Sequence, residues 1–189
     1  MLKMVLKRIV WGVALLMAVP AAALAGFGRF AAGFEFFAQL LALAPGIPGS
    51  YLRVAYYAMT LERCSLESFI GMGSFFAHRE ASVGRRVYIG SMCILGRAHI
   101  GDGTMIASGV QIPSGTAQHA RDERGEMTDE GGRYEDIRIG AHCWIGASAL
   151  VMAHVGEKAT VAAGAVVVKP VEPGDVVAGT PAKSIARKI

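Results

Sequence analysis

Apolar and polar residues recur with a period of six through the second half of the chain. From about residue 83, an aliphatic residue opens each unit, Gly or Ala usually follows, and a small or β-branched residue stands fifth, as in residues 83–88 and 145–150. Such a unit is one short strand and one turn, and it cannot bury its apolar side alone. The pattern therefore predicts stacked three-unit coils, with the first and fifth residues facing inward.

The period is interrupted three times. Residues 95–99 are one residue too short for a unit, residues 151–154 are two residues too short, and residues 113–136 leave the repeat altogether in a stretch rich in Asp, Glu, Arg and His. An all-β sandwich would need longer alternating strands and Asn-Gly or Asp-Gly hairpin turns, which the repeat almost lacks. A polar excursion from a regular solenoid is a typical place for a binding loop; a solvated loop, or one that braces a neighbouring subunit, is the alternative.

The N-terminus predicts a membrane segment. Lys3, Lys7 and Arg8 precede residues 9–27, which carry no charge. A helix of that length spans roughly 28 Å, the thickness of the bilayer core, and the basic residues favour a cytoplasmic N-terminus. A cleaved signal peptide is the alternative, because Ala23-Leu24-Ala25 is similar to a signal-peptidase site.

A second apolar segment covers residues 30–43. Phe30, Phe34, Phe37 and Leu41 recur at helical spacing. The segment is short for a span, so it predicts an interfacial helix, the second arm of a membrane hairpin, or a buried helix of a soluble cap. Residues 45–50 predict a turn and residues 51–63 one more helix. We therefore divide the chain into an anchor and amphipathic helix (1–48), a helical linker (49–69) and the repeat domain (70–189).

Composition narrows the classes of function. With 53% hydrophobic and 18% charged residues in 189, the chain is not of the disordered class. The net charge of +4 is mild, and aromatic residues are not interleaved with basic ones, which argues against nucleic acid as a partner. Three Cys without a CxxC pair predict free thiols.

The repeat resembles that of the hexapeptide-repeat acyltransferases, the left-handed parallel β-helix family that includes maltose, galactoside and virginiamycin acetyltransferases. The similarity covers about residues 70–189 and is densest in 137–152 and 161–189, while 45–53 and 114–120 resemble membrane-associated members encoded with polysaccharide-synthesis enzymes. The resemblance implies an all-β, left-handed parallel β-helix, a homotrimer with sites between neighbours, and acetyl-CoA or another acyl-CoA as co-substrate.

The resemblance also implies roles for individual residues. His119, where the coil leaves its register, matches the general base, and the intrinsic pKa of His suits removal of a hydroxyl proton. The implied acyl-CoA contacts are Trp144 beside the groove, Ala147 and Ala163 along the pantetheine arm, and Lys169, Lys183 and Arg187 near the phosphates. Two departures are that Val168 stands where Thr is common and that Ala186 holds the place of a basic residue. Gln118, His78 and His99 are candidates for the acceptor pocket.

The five histidines at 78, 99, 119, 142 and 154 include no close pair, so the sequence predicts no zinc site of the γ-carbonic anhydrase kind. The expected function is acyl transfer to a hydroxyl of a saccharide or lipid-linked glycan, in exopolysaccharide or envelope glycan synthesis. Because acyl-CoA is cytosolic, we expect a retained anchor in the lipid of the inner membrane, with the catalytic domain on the cytoplasmic side. The alternatives are N-acetyl transfer to an amino sugar or small amine, and a non-catalytic scaffold.

Overall fold

Three helices precede a β-solenoid in the computed structural model, which describes residues 2–128 and 131–185. They are α1 (Leu2–Leu24), α2 (Ala31–Ala42) and α3 (Gly46–Thr60), with a 3-10 turn at Gly26–Gly28. The third helix starts inside the segment that we expected to be a turn. Pro48 lies in its first turn, where the missing N–H of proline costs no helical hydrogen bond.

Short strands wind through about six coils and stack into three parallel sheets, which we name faces A, B and C. Face A contains β1 (Arg63–Cys64), β4 (Ser82–Val83), β7 (Ala98–Ile100) and β12 (Ile137–Ile139), and bridges at Val155 and Val171 extend it. Face B contains β2 (Phe69–Ile70), β5 (Tyr88–Ile89), β8 (Met105–Ile106), β13 (Trp144–Ile145), β15 (Thr160–Val161) and β17 (Val176–Ala178). Face C contains β3 (Phe75–Phe76), β6 (Ile94–Leu95), β9 (Gln111–Ile112), β14 (Leu150–Val151) and β16 (Val166–Val167).

Three further strands lie outside the parallel sheets. The strands β10 (Ala120–Arg121) and β11 (Met127–Thr128) form an antiparallel hairpin, and β18 (Lys183–Ser184) pairs antiparallel with β17 as a short tail. The predicted parallel β-solenoid with an N-terminal apolar helix is confirmed; its left hand stays a prediction. The first coil begins at Arg63, so the segment 49–69 contains most of α3, the strand β1 and the first residue of β2.

The inward positions are those that the repeat predicts. The first and fifth residues of successive units, such as Ile89 with Cys93 and Ile145 with Ala149, are at most 1% exposed. The corner itself turns at the fourth residue, where Met92 has φ 59°. The second residue is small because the next coil approaches it closely: a Cβ on Gly90 would lie 2.6 Å from the backbone nitrogen of Ser108.

The helices cap the open end of the first coil. The hydroxyls of Ser50 and Tyr57 accept hydrogen bonds from the backbone N–H groups of Ile70 (3.1 Å) and Phe76 (3.0 Å). The Nε of Arg53 donates to the carbonyl of Ile70 at 3.0 Å. These side chains satisfy backbone groups that a preceding coil would otherwise satisfy, which is the role of a capping element in a solenoid.

One side of α1 is buried against the rest of the helical cap. Ala14, Ala18 and Ala22 are at most 5% exposed, and the ring of Trp11 packs edge-on against Tyr51 with centroids 4.5 Å apart. The opposite side of α1 exposes large apolar side chains, among them Leu16 at 74%. The segment Val5–Leu24 is long and apolar enough to cross a membrane.

Candidate active site

The residues between β9 and β12 form a two-stranded arm at the corner between faces C and A. The backbone N–H of Glu135 donates to the carbonyl of Ser114 (2.9 Å), and that of Arg133 donates to Ala117 (2.7 Å). Further out, β10 and β11 continue the pairing. The interruption of the repeat is therefore a hydrogen-bonded projection rather than an unpaired loop.

The root of this arm is fastened to the earlier coils. The buried hydroxyl of Ser114 accepts a hydrogen bond from the backbone N–H of Arg97 at 2.9 Å. The guanidinium of Arg97 lies 5.8 Å from the centroid of the Tyr134 ring, and the ring of His78 lies 4.8 Å from it on centroids. The arm therefore shares its corner with side chains of the first two coils.

His119 lies on the arm beside β10 and is exposed. Its neighbour Gln118 is partly buried, and the Gln118 side-chain amide donates to the carbonyl of Gly115 at 3.5 Å. A general base must come within hydrogen-bond reach of the proton that it removes. An exposed imidazole on a projecting arm meets the requirement of access to a substrate.

His99 connects the end of the arm to face A. Its Nδ1 lies 3.1 Å from the hydroxyl oxygen of Ser82, and its Nε2 lies 3.7 Å from a carboxylate oxygen of Asp136. Ser82 is the first residue of β4 and Asp136 directly precedes β12, so His99 lies on the outer surface of face A between its neighbouring strands. This position fits a residue that orients the arm.

His78 is surrounded by charges at the same corner of the first coil. Burial, reinforced by the positive charge of Arg97, lowers the pKa of His78, and Glu80 and Glu35 oppose this shift. The imidazole is therefore neutral at pH 7. It borders a cavity of about 330 Å³ between the solenoid and the start of α2.

The expected acyl-CoA residues fall mostly at the corner between faces B and C. Ala147 and Ala163 occupy this corner in successive coils, as the 2.8 Å hydrogen bond from Gly164 N to Ala147 O shows, and both are exposed. Trp144 lies on face B, three residues before Ala147, and is 45% exposed. Lys183 is exposed on β18. Small residues, an indole and one ammonium group thus line a single edge of the solenoid.

One expected phosphate contact is not part of that edge. Lys169 follows β16 by two residues and so lies at the corner between faces C and A, on the other side of face C. Arg187 lies outside the described residues. Within residues 2–128 and 131–185, no group of three or more His, Cys, Asp or Glu is placed to hold a metal ion.

Sequence reasoning missed Arg79, Arg97 and Tyr134 at the arm's corner. The pairing of Phe75 with Ile94 sets a step of 19 residues between the first two coils at this face. That step carries His78 onto Arg97, so the coil length was the signal that would have brought them together. Tyr134 gave no such signal, because its position depends on the path of the arm.

The fold and the arm define a parallel β-solenoid protein of hexapeptide repeats with a candidate site on an inserted arm. The model for the hexapeptide repeat of succinyl-transferase matches residues 136–169. Among solved structures, the polySia-specific acetyltransferase NeuO is 26% identical, with a TM-score of 0.52 over 65% of this chain. This chain spans 59% of NeuO, about three fifths of its length.

Two other solved structures cover more of the chain. The hexapeptide-repeat acetyltransferase VCA0836 from Vibrio cholerae is 20% identical over 87% of this chain and 92% of its own, with a TM-score of 0.71. A maltose O-acetyltransferase from Clostridium difficile 630 is 21% identical over 83% and 87%, with a TM-score of 0.68. No curated protein matches the chain by sequence. In its repeat and its fold, the chain is thus similar to hexapeptide-repeat acetyltransferases.

Proposed function

We propose that the protein is an acyl-CoA-dependent O-acyltransferase, in the simplest case an O-acetyltransferase, that modifies a hydroxyl of a saccharide. The observation that carries the proposal is the single hydrogen-bonded arm, which projects an exposed His119 from an otherwise regular solenoid. The edge with Trp144, Ala147 and Ala163 supports a narrow site for the pantetheine arm, since small exposed residues permit close approach to the backbone.

In the proposed reaction, His119 takes the proton of the acceptor hydroxyl as its oxygen attacks the thioester carbonyl carbon. The resulting oxyanion is stabilised by a backbone N–H. The carbon–sulfur bond then breaks, the ester forms, and the thiolate of CoA receives the proton from His119. Lys183 and Lys169 would hold the nucleotide phosphates by charge-assisted hydrogen bonds, and Arg187 is the further basic residue proposed there.

The outer surface of face B supports an assembly of several copies of the chain. Phe69, Tyr88, Met105 and Trp144 stand in register on the outer surface of face B. Tyr88, Met105 and Trp144 are each more than 40% exposed. A contiguous apolar stripe of this kind is typical of an interaction surface. We therefore propose a homotrimer, in which the solenoid of a neighbour covers this stripe and each site lies between two copies.

We propose that α1 is retained and inserts in the inner membrane, with the solenoid in the cytoplasm, where acyl-CoA is found. Support comes from the buried face of α1: Ala14, Ala18, Ala22 and Ala25 belong to the core, so cleavage after Ala25 would uncover the helix against which they pack. N-terminal sequencing of protein extracted from membranes tests this. A chain that begins at Gly26 would contradict it.

The activity is tested by thiol release from acetyl-CoA with detergent-purified protein, and by mass analysis of products from maltose, a sialic acid oligomer and glucosamine. We expect transfer to a hydroxyl, and we expect His119→Ala to lower kcat by about 10²- to 10⁴-fold. His142→Asn is the matched control, because His142 is an exposed histidine at a coil turn with φ 57°, a conformation that Asn tolerates.

Three results would contradict parts of the proposal. Wild-type activity of the His119 variant would remove the assigned base. Acetylation of the glucosamine amine alone would assign N-acyl transfer instead. Absence of any thiol release and of any thermal shift with CoA would indicate a non-catalytic scaffold.

A further inference from the structure

A cavity of about 330 Å³ lies between the start of α2 and the first coil, outside the edge assigned to acyl-CoA. Its helical side includes Arg29, Phe34 and Glu35, and its solenoid side includes His78, Arg79 and Glu80. Two guanidinium groups, two carboxylates and a neutral imidazole thus surround a space large enough for one sugar ring, with one buried aromatic ring at its wall.

Donors in this region lack partners. The Nε of Arg79 is buried and has no hydrogen-bond partner among the described residues, and the same holds for the Nε of Arg97 in the next coil. A buried donor without an acceptor is costly, at about 1–3 kcal/mol. Each such group calls for an explanation, and an acceptor atom of a ligand would satisfy it.

The cavity is connected to the root of the arm. The ring of His78 contacts that of Tyr134, at 4.8 Å between centroids. The backbone N–H of Arg133, the residue before Tyr134, donates to the carbonyl of Ala117 across the arm. His119 lies two residues beyond Ala117 and therefore further out on the same arm. A saccharide that extends from the cavity along the arm reaches the proposed base.

We infer that this cavity is the acceptor subsite and that it takes one hydroxyl-rich ring of the saccharide. A sugar hydroxyl both donates and accepts hydrogen bonds, so carboxylates and guanidinium groups in one cavity suit it better than they suit a simple anion, which the carboxylates would repel. Glu80 and Glu35 accept from ring hydroxyls, Arg79 donates to ring oxygens, and Phe34 closes the floor. The inference rests on the proposed function and adds residues that set acceptor specificity.

The test separates acceptor binding from acyl-CoA chemistry. Steady-state kinetics of the full chain in detergent are measured with acetyl-CoA and with maltose and a sialic acid oligomer as acceptor probes, beside acceptor-independent hydrolysis of acetyl-CoA. For Arg79→Gln and Glu80→Gln we expect the KM for the acceptor to rise about tenfold or more, which corresponds to one charged hydrogen bond. The KM for acetyl-CoA and the rate of hydrolysis stay at wild-type values.

The matched control is Glu67→Gln, which changes an exposed carboxylate of the same coil away from this corner. It should leave all three quantities unchanged. An unchanged acceptor KM in both cavity variants, or a rise in the KM for acetyl-CoA instead, would overturn the inference while leaving the proposed function intact. If the wild-type protein transfers acetyl groups to neither probe, the proposed saccharide activity and the inference fail together. If acetyl-CoA hydrolysis is then also absent, the acyltransferase itself fails.

Discussion

Arg53 offers the sharpest test of how the helical cap holds the solenoid. Its side chain is fully buried, and it donates through Nε to the carbonyl of Ile70 (3.0 Å) and through Nη1 to the carbonyl of Ala44 (2.7 Å). Nη1 also lies within reach of the carbonyls of Leu41 and Ala42. One cation thus ties the end of α2 and the first coil to α3.

The free-energy cost of removing the Arg53 guanidinium comes from the backbone carbonyls that lose their hydrogen-bond donor. The carbonyl of Ala42 also accepts from Gly73 N (2.7 Å), and that of Leu41 also accepts from Ala44 N (3.2 Å). Among the described residues, the carbonyls of Ile70 and Ala44 have no second donor. At about 1–3 kcal/mol for each, two unpaired buried carbonyls cost about 2–6 kcal/mol.

Arg53→Met keeps an apolar side chain of similar length and removes the desolvation penalty of a buried charge, which offsets part of the loss. We expect a net loss of about 3 kcal/mol in the free energy of unfolding, and hence a fall in Tm of about 6–12 °C for a chain of this size. Thermal unfolding followed by circular dichroism in detergent measures it. The matched control is Arg63→Met, at an exposed position of β1. Equal Tm values for the two variants would refute the capping role.

Three further predictions follow from the coils and the arm's corner. Gly90→Ala should lower Tm by several degrees in the same assay, because the added Cβ meets backbone atoms of the next coil at 2.6 Å. Burial raises the pKa of each thiol, to about 12 for Cys64, so at pH 7 a disulfide reagent should label Cys64, Cys93 and Cys143 only after unfolding; rapid labelling of the native protein would contradict this. His78 has a lowered folded pKa, so the unfolded chain takes up its proton first and stability falls as pH drops below about 6.5. His78→Gln should flatten the dependence of Tm on pH between about 6.5 and 5, and an unchanged slope would count against that environment for His78.

The six-residue repeat predicted the solenoid well because its information is local. Each inward residue occupies a fixed place in its unit, and the short unit at 151–154 corresponds to the 16-residue step from Ile139 to Val155. The thiols of Cys93 and Cys143 fill fifth positions, which explains why two widely spaced cysteines are buried without forming a disulfide. The repeat alone does not say which residue turns the corner, because a small second residue can reflect either backbone freedom or close approach of the next coil, and the structure shows the close approach.

The cap could not be predicted in the same way, because its contacts are between distant segments. Arginine is rarely fully buried, and nothing around Arg53 in the sequence indicates that its acceptors lie in α2, the following loop and β2. The contacts of the buried alanines of α1 also could not be predicted from the sequence around them. Their spacing fits a membrane helix equally well, and only the packing against α3 separates a face that contacts protein from a face that is left exposed.

The candidate site shows where a repeat pattern stops being informative. His119 could be singled out because the period fails beside it and because it matches the general base of the family that the repeat resembles, whereas Ala147 and Ala163 were implied by that resemblance alone. Lys169 holds a regular place too, but the structure puts it at the corner that carries the arm, one face away from those alanines. If one acyl-CoA contacts both groups, it must do so across two solenoids, with the phosphates near Lys169 of one copy and the pantetheine along the alanine edge of its neighbour. This arrangement can be tested with mixed trimers assembled from Lys169→Gln chains and from chains with a bulky residue in place of Ala163. Acyl-CoA binding should return at those sites where the Lys169→Gln chain supplies the intact alanine edge and the other chain supplies Lys169.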